Sequence, residues 1–197
     1  DDLIAARGDT PEEWMACAKG AVRVSSTSVT GKQIILTYIE PGIWFGDVSI
    51  FDGDARTHDV YAHGETTLLC LARADFQKVL SQHVEFYHAM LRLNARRIRQ
   101  LYGLVEDLNT LPLRARLAKQ LVHLVRSYGV ASLADSSETR IGLQLAQEEL
   151  AQLLGASRQR VNQELKSLER EGTIRIEPAG LVVRDRQTLT QLGQTAD

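Results

Sequence analysis

The sequence predicts an α+β protein: an N-terminal antiparallel β-roll, one long helix, and a C-terminal winged helix-turn-helix. Three observations predict it. Glycines fall at 20, 31, 42, 53 and 64, with short β-rich runs between them. An apolar seam in steps of four and three then runs from Tyr87 to Leu108. Finally, residues Gln147 to Val183 place two short helices, a tight turn and a small hairpin in succession.

The β-rich runs are Ala21–Val24, Gln33–Ile39 and Thr66–Leu71. Short strands separated by turn signals every 8–12 residues or so argue for an antiparallel sandwich or barrel. The sequences between the glycines do not repeat, so a solenoid is excluded. Arg73-Ala74-Asp75-Phe76 turns into a helical stretch through Leu80, and a longer helix runs from Glu85 to Leu108. Along it Tyr87, Leu91, Asn94, Ile98, Leu101, Val105 and Leu108 form a heptad seam, the pattern of two helices packed along their length. A lone polar residue in such a seam fixes register, and Asn94 fits that role. The expected homodimer interface is therefore Leu91, Asn94, Ile98, Leu101, Val105 and Leu108. The alternative is that the same stripe buries against the chain's own β-domain.

Leu111-Pro112 ends the long helix as a hinge, because proline cannot continue it. An amphipathic helix follows over Leu113–Ser127, with Leu117, Leu121, Leu124 and Val125 inward, and Ser132–Glu138 reads as a polar loop. Three segments result: a β-roll over 1–83, a dimerisation helix and hinge over 84–111, and a helix-turn-helix domain over 112–197.

In that last domain Leu150, Leu153 and Leu154 give the first helix a buried face. Gly155 ends it in the left-handed conformation, and Ser157 caps the next helix through its hydroxyl. Val161, Leu165 and Leu168 recur at helical spacing and face inward. Arg158, Gln159, Asn162, Gln163 and Lys166 are left outward. Gly172 ends this helix, and Thr173–Ile176 turns through Pro178-Ala179-Gly180 into Leu181–Val183 as a wing. Arginine and glutamine pair bidentately with guanine and adenine edges in the major groove. The expected DNA-binding set is Ser157, Arg158, Gln159, Asn162, Gln163 and Lys166. An ordinary helical hairpin with a solvated polar face is the bland alternative.

The 197 residues are 44% hydrophobic and 24% charged, as in ordinary soluble domains. No apolar run approaches the roughly 18 residues a membrane span needs, and no signal peptide is visible. The chain starts at Asp1 without methionine, so some N-terminal sequence is expected to be missing. Two cysteines, Cys17 and Cys70, are too few for a disulfide scaffold, and a cytoplasmic location follows. Residues 112–197 hold 12 Lys/Arg against 10 Asp/Glu, and residues 1–111 hold 11 against 15. The basic excess thus sits with the helix-turn-helix, as phosphate attraction requires.

β-roll, dimer helix and winged helix-turn-helix together resemble the Crp–Fnr family of bacterial transcription regulators. The resemblance covers nearly the whole chain. It rests on Lys19-Gly20-Ala21-Val22-Arg23-Val24, Pro41 to Asp47, Arg56-Thr57, and Leu154-Gly155-Ala156-Ser157-Arg158 with Val161. The family implies a cyclic-nucleotide-binding jelly roll, a pseudo-palindromic double-stranded DNA operator, a homodimer, and RNA polymerase as a further partner. Phe45 to Ile50 is similar to the family's phosphate-binding cassette. The implied effector residues are Gly46, Asp47, Val48, Ser49, Arg56 and Thr57, with Leu101 and Tyr102 from the long helix. Arg56 would pair with phosphate in a charge-assisted fork, Thr57 would add a hydroxyl, and Asp47 would accept from a ribose hydroxyl.

Two departures from cyclic-AMP binders stand out. His58-Asp59 follows Arg56-Thr57 where small or apolar residues are common, and Leu101-Tyr102 replaces a Thr-Ser pair. A cyclic nucleotide such as cyclic AMP or cyclic di-GMP fits the cassette. A surface turn with an Arg–Asp pair is the alternative for the same residues. An effector-independent or haem-type regulator of the family, with His58 or His63 as haem ligand, and a scaffold module that docks protein instead of DNA also stay open. No nucleophile or metal constellation indicates an enzyme: His58 and His63, five apart, would sit on opposite faces of an uninterrupted strand. Arg158, Gln159 and Gln163 occupy the family's base-reading positions. Gln159 stands where the cyclic-AMP receptor has Glu and Gln163 where it has Arg, so a different operator is expected.

Overall fold

The computed structural model describes residues 1–132, 135–178 and 180–194. The chain forms two compact units, Asp1–Tyr102 and Gly103–Asp197.

The first unit is a bent antiparallel sheet in the order β1 (Leu3–Ala5), β5 (Asp59–Ala72), β2 (Glu13–Thr27), β3 (Gln33–Ile39), with β4 (Trp44–Phe45) also paired to β2. Of the three runs read as short strands, Gln33–Ile39 is β3 itself, whereas Ala21–Val24 and Thr66–Leu71 are pieces of two long strands. β2 has 15 residues and β5 has 14, and they pair over most of their length. Register shifts around Lys19 bend β2 without ending it, as β-bulges do. Gly20 makes this feasible: its φ is +82°, and a Cβ there would lie 2.3 Å from the Glu65 carbonyl oxygen. Glycine spacing thus signalled bends as well as turns. α1 (Asp47–Asp52) lies between β4 and β5.

Met15, Cys17, Val22, Phe45 and Val60 form one buried cluster of this unit. A second contains Trp14, Ile50, Phe76 of α2 (Arg73–Gln82) and Met90 of α3 (Val84–Thr110). Trp14 stacks on Trp44 at 4.1 Å between ring centroids. Met90 and Phe86 therefore fix one face of α3 on the sheet domain. The heptad seam is a different face. Leu91, Ile98 and Leu101 are exposed, Leu91 at 66%, so within the first unit the stripe is not spent on the sheet; Val105 and Leu108 are exposed as well. Asn94 is half-buried and donates to the Met90 carbonyl at 3.2 Å, a bond within its own helix.

In the second unit α4 (Leu113–Tyr128) supplies the central apolar rod, with Leu117, Ala118, Leu121 and Leu124 fully buried. Around it stand β6 (Gly129–Ala131), β7 (Thr139–Ile141), α5 (Gln147–Leu154), α6 (Arg158–Arg170), β8 (Ile174–Glu177), β9 (Gly180–Val183) and α7 (Arg186–Leu192). The wing is larger than a hairpin. Its sheet runs β6-β7-β9-β8, adding two strands that flank the expected polar loop on either side and were not read from the sequence. Leu133 and Ala134 of the expected polar loop, and Ala179 of the wing turn, lie outside the described residues. The loop's far end is not surface: Glu138 is 5% exposed. It accepts from Arg175 at 2.6 Å and Arg184 at 2.8 Å, which is how a carboxylate is satisfied in the interior.

Candidate nucleic-acid interface and ligand pocket

The helix-turn-helix is built as its residues dictate. Leu150 and Leu154 are buried on α5; Ala151 completes that face, and Leu153 is only half-buried. Gly155 adopts φ +61° at the turn. The Ser157 hydroxyl accepts from the Arg160 amide at 3.4 Å, a long cap bond. Val161, Leu165 and Leu168 are buried to 1% exposure or less and hold α6 down. Its opposite side presents Gln159, Gln163 and Lys166, and Arg158, the first residue of the helix, stands above the Val161–Leu165 stripe; all four are exposed. Asn162 is set further in, half-buried, with its side-chain oxygen 3.4 Å from the Gln147 amide nitrogen.

Two exposed cations of α6, Arg160 and Arg170, were not among the expected DNA-binding residues. Gln159, Gln163, Lys166 and Arg170 follow each other at i, i+4, i+7 and i+11, so Arg170 continues the outward line. That spacing was readable in the sequence. What no spacing could reveal is the bracing from α4: Arg116 donates to the Leu154 carbonyl at 2.9 Å, closing the C-terminal end of α5 beside the turn.

The expected effector residues divide into two groups. Gly46, Val48, Ser49, Arg56 and Thr57 line a cavity of about 160 Å³ beside α1, smaller than the roughly 300 Å³ at which ligand pockets usually begin. Gly46 takes φ +85°, and a Cβ there would meet Arg56 Nη1 at 2.8 Å. Only glycine admits both the backbone turn and the guanidinium. Arg56 donates to the Glu13 carbonyl at 2.9 Å, and burial pulls its affinity for the proton below the ordinary arginine value, with Asp9 and Glu13 acting against that. The Ser49 hydroxyl donates to the Ala55 carbonyl at 3.3 Å. Thr57 Oγ1 and His58 Nδ1 share a hydrogen bond of 2.7 Å. Asp59 does not line this cavity; its carboxylate accepts from the Arg7 amide at 2.8 Å.

Asp47, Leu101 and Tyr102 lie elsewhere. Asp47 is only 1% exposed, and both its oxygens accept from Arg97 Nη1 of α3, at 2.6 and 2.7 Å. Arg97 also donates to the Trp44 carbonyl at 2.5 Å. The carboxylate that the resemblance assigns to a ribose hydroxyl is thus held by an arginine, and the pair ties α1 to α3. An Arg–Asp pair does exist here, as one alternative held, but it is buried and made by Arg97. The signal for Arg97 was its distance of seven residues from Met90, which puts both on the sheet-facing side of α3. Leu101 and Tyr102 are exposed, Tyr102 at 72%, and neither lines the cavity. Of the two histidines considered for haem, His58 lines the cavity, and His63 packs edge-on against Tyr38 at 5.0 Å.

Comparison with known proteins agrees with this architecture. Residues 1–83 match the cyclic nucleotide-binding domain, and residues 115–192 match the Crp-like helix-turn-helix domain. The chain is 30% identical to the cyclic AMP receptor protein of Thermus thermophilus, over 94% of this chain and 82% of that relative. It is 29% identical to the CRP-like cAMP-activated global transcriptional regulator of Mycobacterium tuberculosis, over 95% of this chain and 83% of that one. Among solved structures, FixK2 from Bradyrhizobium japonicum superposes with a TM-score of 0.86 at 21% identity, covering 100% of this chain and 95% of its own. That likeness concerns the fold. With a cyclic-nucleotide-type β-roll ahead of a winged helix-turn-helix, the chain belongs to the Crp–Fnr family of DNA-binding transcription regulators.

Proposed function

We propose that the protein is a homodimeric, sequence-specific transcription regulator that reads a pseudo-palindromic operator through α6. The observation that carries this is the division of α6 into a buried apolar side and an exposed side bearing Gln159, Gln163 and Lys166, with Arg158 exposed at its first turn. Paired recognition helices would enter successive major grooves, with half-sites about 34 Å apart. The exposed seam of α3 supports the dimer, since a stripe of five large apolar side chains is costly to leave in water. Gln159 and Gln163 favour adenine-containing contacts over those a Glu and an Arg would make. Selection of bound sequences from random duplexes tests this. Recovery of a two-fold site distinct from the cyclic-AMP receptor's is expected, and recovery of that receptor's own consensus defeats it.

The cavity at Gly46, Arg56 and Thr57 supports control by an anionic, nucleotide-type effector, because a guanidinium and a glycine-opened backbone are what a phosphate needs. A ligand acts there only by binding the DNA-competent arrangement better than the other. A second reading is favoured by Asp47–Arg97 and by Arg56–Glu13: the cassette's charges are satisfied from within the chain, as an effector-independent regulator requires. Titration of operator affinity with cyclic AMP, cyclic GMP and cyclic di-GMP separates the two. A shift that Arg56→Ala abolishes supports the effector; no shift with any of them supports the second reading.

A further inference from the structure

The recognition helix is electrostatically sorted. It carries four cations, Arg158, Arg160, Lys166 and Arg170, and none of them has an ion-pair partner among the described residues. The acids of this segment are all engaged. Glu169 accepts the Ile176 amide at 2.8 Å. Glu171, which caps the helix, accepts from Arg114 at 2.5 Å and from the Ser167 hydroxyl at 3.0 Å. Glu164 lies 3.6 Å from the other nitrogen of the same Arg114.

Arg114 is the second residue of α4, and its hold on Glu164 has a consequence for Arg160. Arg160 and Glu164 stand four apart on α6, the spacing at which opposite charges are natural neighbours on a helix. Arg160, Glu164, Ser167 and Glu171 share one flank. Arg114 lies 3.6 Å from one oxygen of the Glu164 carboxylate and competes with Arg160 for it, and Arg160 has no ion-pair partner among the described residues. Lys166 and Arg170, also four apart, repel each other at a small cost to the isolated helix, which a phosphate backbone along that face would offset.

We propose that Arg114 is a positioning residue for DNA binding. By holding Glu164 and Glu171 it keeps both carboxylates off the DNA side and frees Arg160 to meet phosphate. The inference rests on α6 being the DNA-reading helix. Without Arg114, Glu164 pairs with Arg160, one phosphate contact is lost, and an uncompensated carboxylate lies within a Debye length of the duplex, about 10 Å at 0.1 M salt.

The test is the salt dependence of duplex binding. Arg114→Ala is expected to bind roughly three- to tenfold more weakly near 0.1 M salt, on operator and unrelated DNA alike, with the log–log salt slope smaller by about 0.9. Adding Glu164→Gln and Glu171→Gln to Arg114→Ala is expected to restore wild-type affinity and slope. Neutral carboxamides cannot repair packing, so rescue separates electrostatics from support of the fold. Arg160→Ala should lower the slope in the wild type and leave it unchanged in the Arg114→Ala background. If the alanine variant loses helix content, Arg114→Gln takes its place. An unchanged slope for Arg114→Ala, or a loss that the carboxamides do not recover, overturns the proposal, the latter by showing that Arg114 acts directly or through the fold. A wild-type chain without salt-dependent affinity overturns instead the reading of α6 on which the proposal stands.

Discussion

The outer face of α6 and the cassette around α1 both carry arginines, but only those of α6 are without a partner among the described residues. On α6 the cations have no partners among the described residues, and the neighbouring acids are held by Arg114 and a backbone amide. In the cassette every charged group is already engaged: Arg56 with the Glu13 carbonyl, Asp47 with Arg97. A surface that meets DNA works by exchanging small counterions for fixed charge, which needs its cations free beforehand. Contacts made from within, as in the cassette, add to the stability of their own unit with no ligand bound, so the two sets of arginines should respond differently to substitution.

The sharpest way to break that contrast is to remove Asp47. If its role is structural, Asp47→Ala leaves Arg97 without a carboxylate in a half-buried site, and stability falls with no ligand present. Breaking a buried pair costs about 3–5 kcal/mol. Arg97 keeps 28% of its side chain in solvent, which argues for the lower end. Both tryptophans, Trp14 and Trp44, lie in the first unit and stack on each other, so fluorescence-detected unfolding reports this unit alone. An unchanged denaturation midpoint would return Asp47 to the ligand-binding role.

Arg158→Ala provides the opposite case, with function lost and stability kept. Its side chain is exposed and unpaired among the described residues, so the unfolding midpoint should not move. Operator binding is expected to weaken by about 1–3 kcal/mol if Arg158 reads a guanine. Competition against unrelated duplex decides the mode: loss confined to the operator means base reading, and equal loss on both means a phosphate contact.

A smaller effect is expected at the start of α6. Ser157→Ala removes the oxygen that accepts from the Arg160 amide, at a distance of 3.4 Å. Caps of this kind contribute about 1 kcal/mol, and a bond this long belongs toward the low end of the roughly 0.5–2 range. Thermal unfolding followed by helix content measures it, and Ser157→Asp should recover most of the loss.

The two units were not equally legible in the sequence. In the second, local rules sufficed: Gly155 for the turn, Ser157 for the cap, and Val161, Leu165 and Leu168 for the buried side depend only on nearby residues. β6 and β7 were missed because three-residue strands carry no period, and Glu138 was read as loop because its arginines lie 37 and 46 residues away. In the first unit the cassette was recognisable as a pattern, yet the partner of Asp47 is 50 residues distant. Spacing along a chain identifies which groups can share a helix face. It does not say which charge from another element reaches them first, and that choice decided both Asp47 and Glu164.

The least effect, and the most discriminating between the units, is expected from pH. His58 lines the cassette cavity, and burial, followed by the nearby Arg7, holds its pKa below the ordinary 6.5, with Asp59 opposing. A lowered pKa means that the folded state binds fewer protons than the unfolded one. The associated stability is complete above the unfolded value and is lost as pH falls from there through the folded pKa. In the second unit the groups held low are carboxylates. Asp135 and Asp185 lie below the usual 3.8 because the backbone and hydroxyl groups of Ser137 and Thr188 donate to them. Their contribution persists until far more acid conditions. Moving from about pH 7.5 to about pH 5.5 should therefore lower the tryptophan-detected midpoint of the first unit through His58, with no loss from Asp135 or Asp185 in that window. His58→Gln should flatten the dependence. A slope that survives this substitution would assign the acid sensitivity of the cassette to a group other than His58.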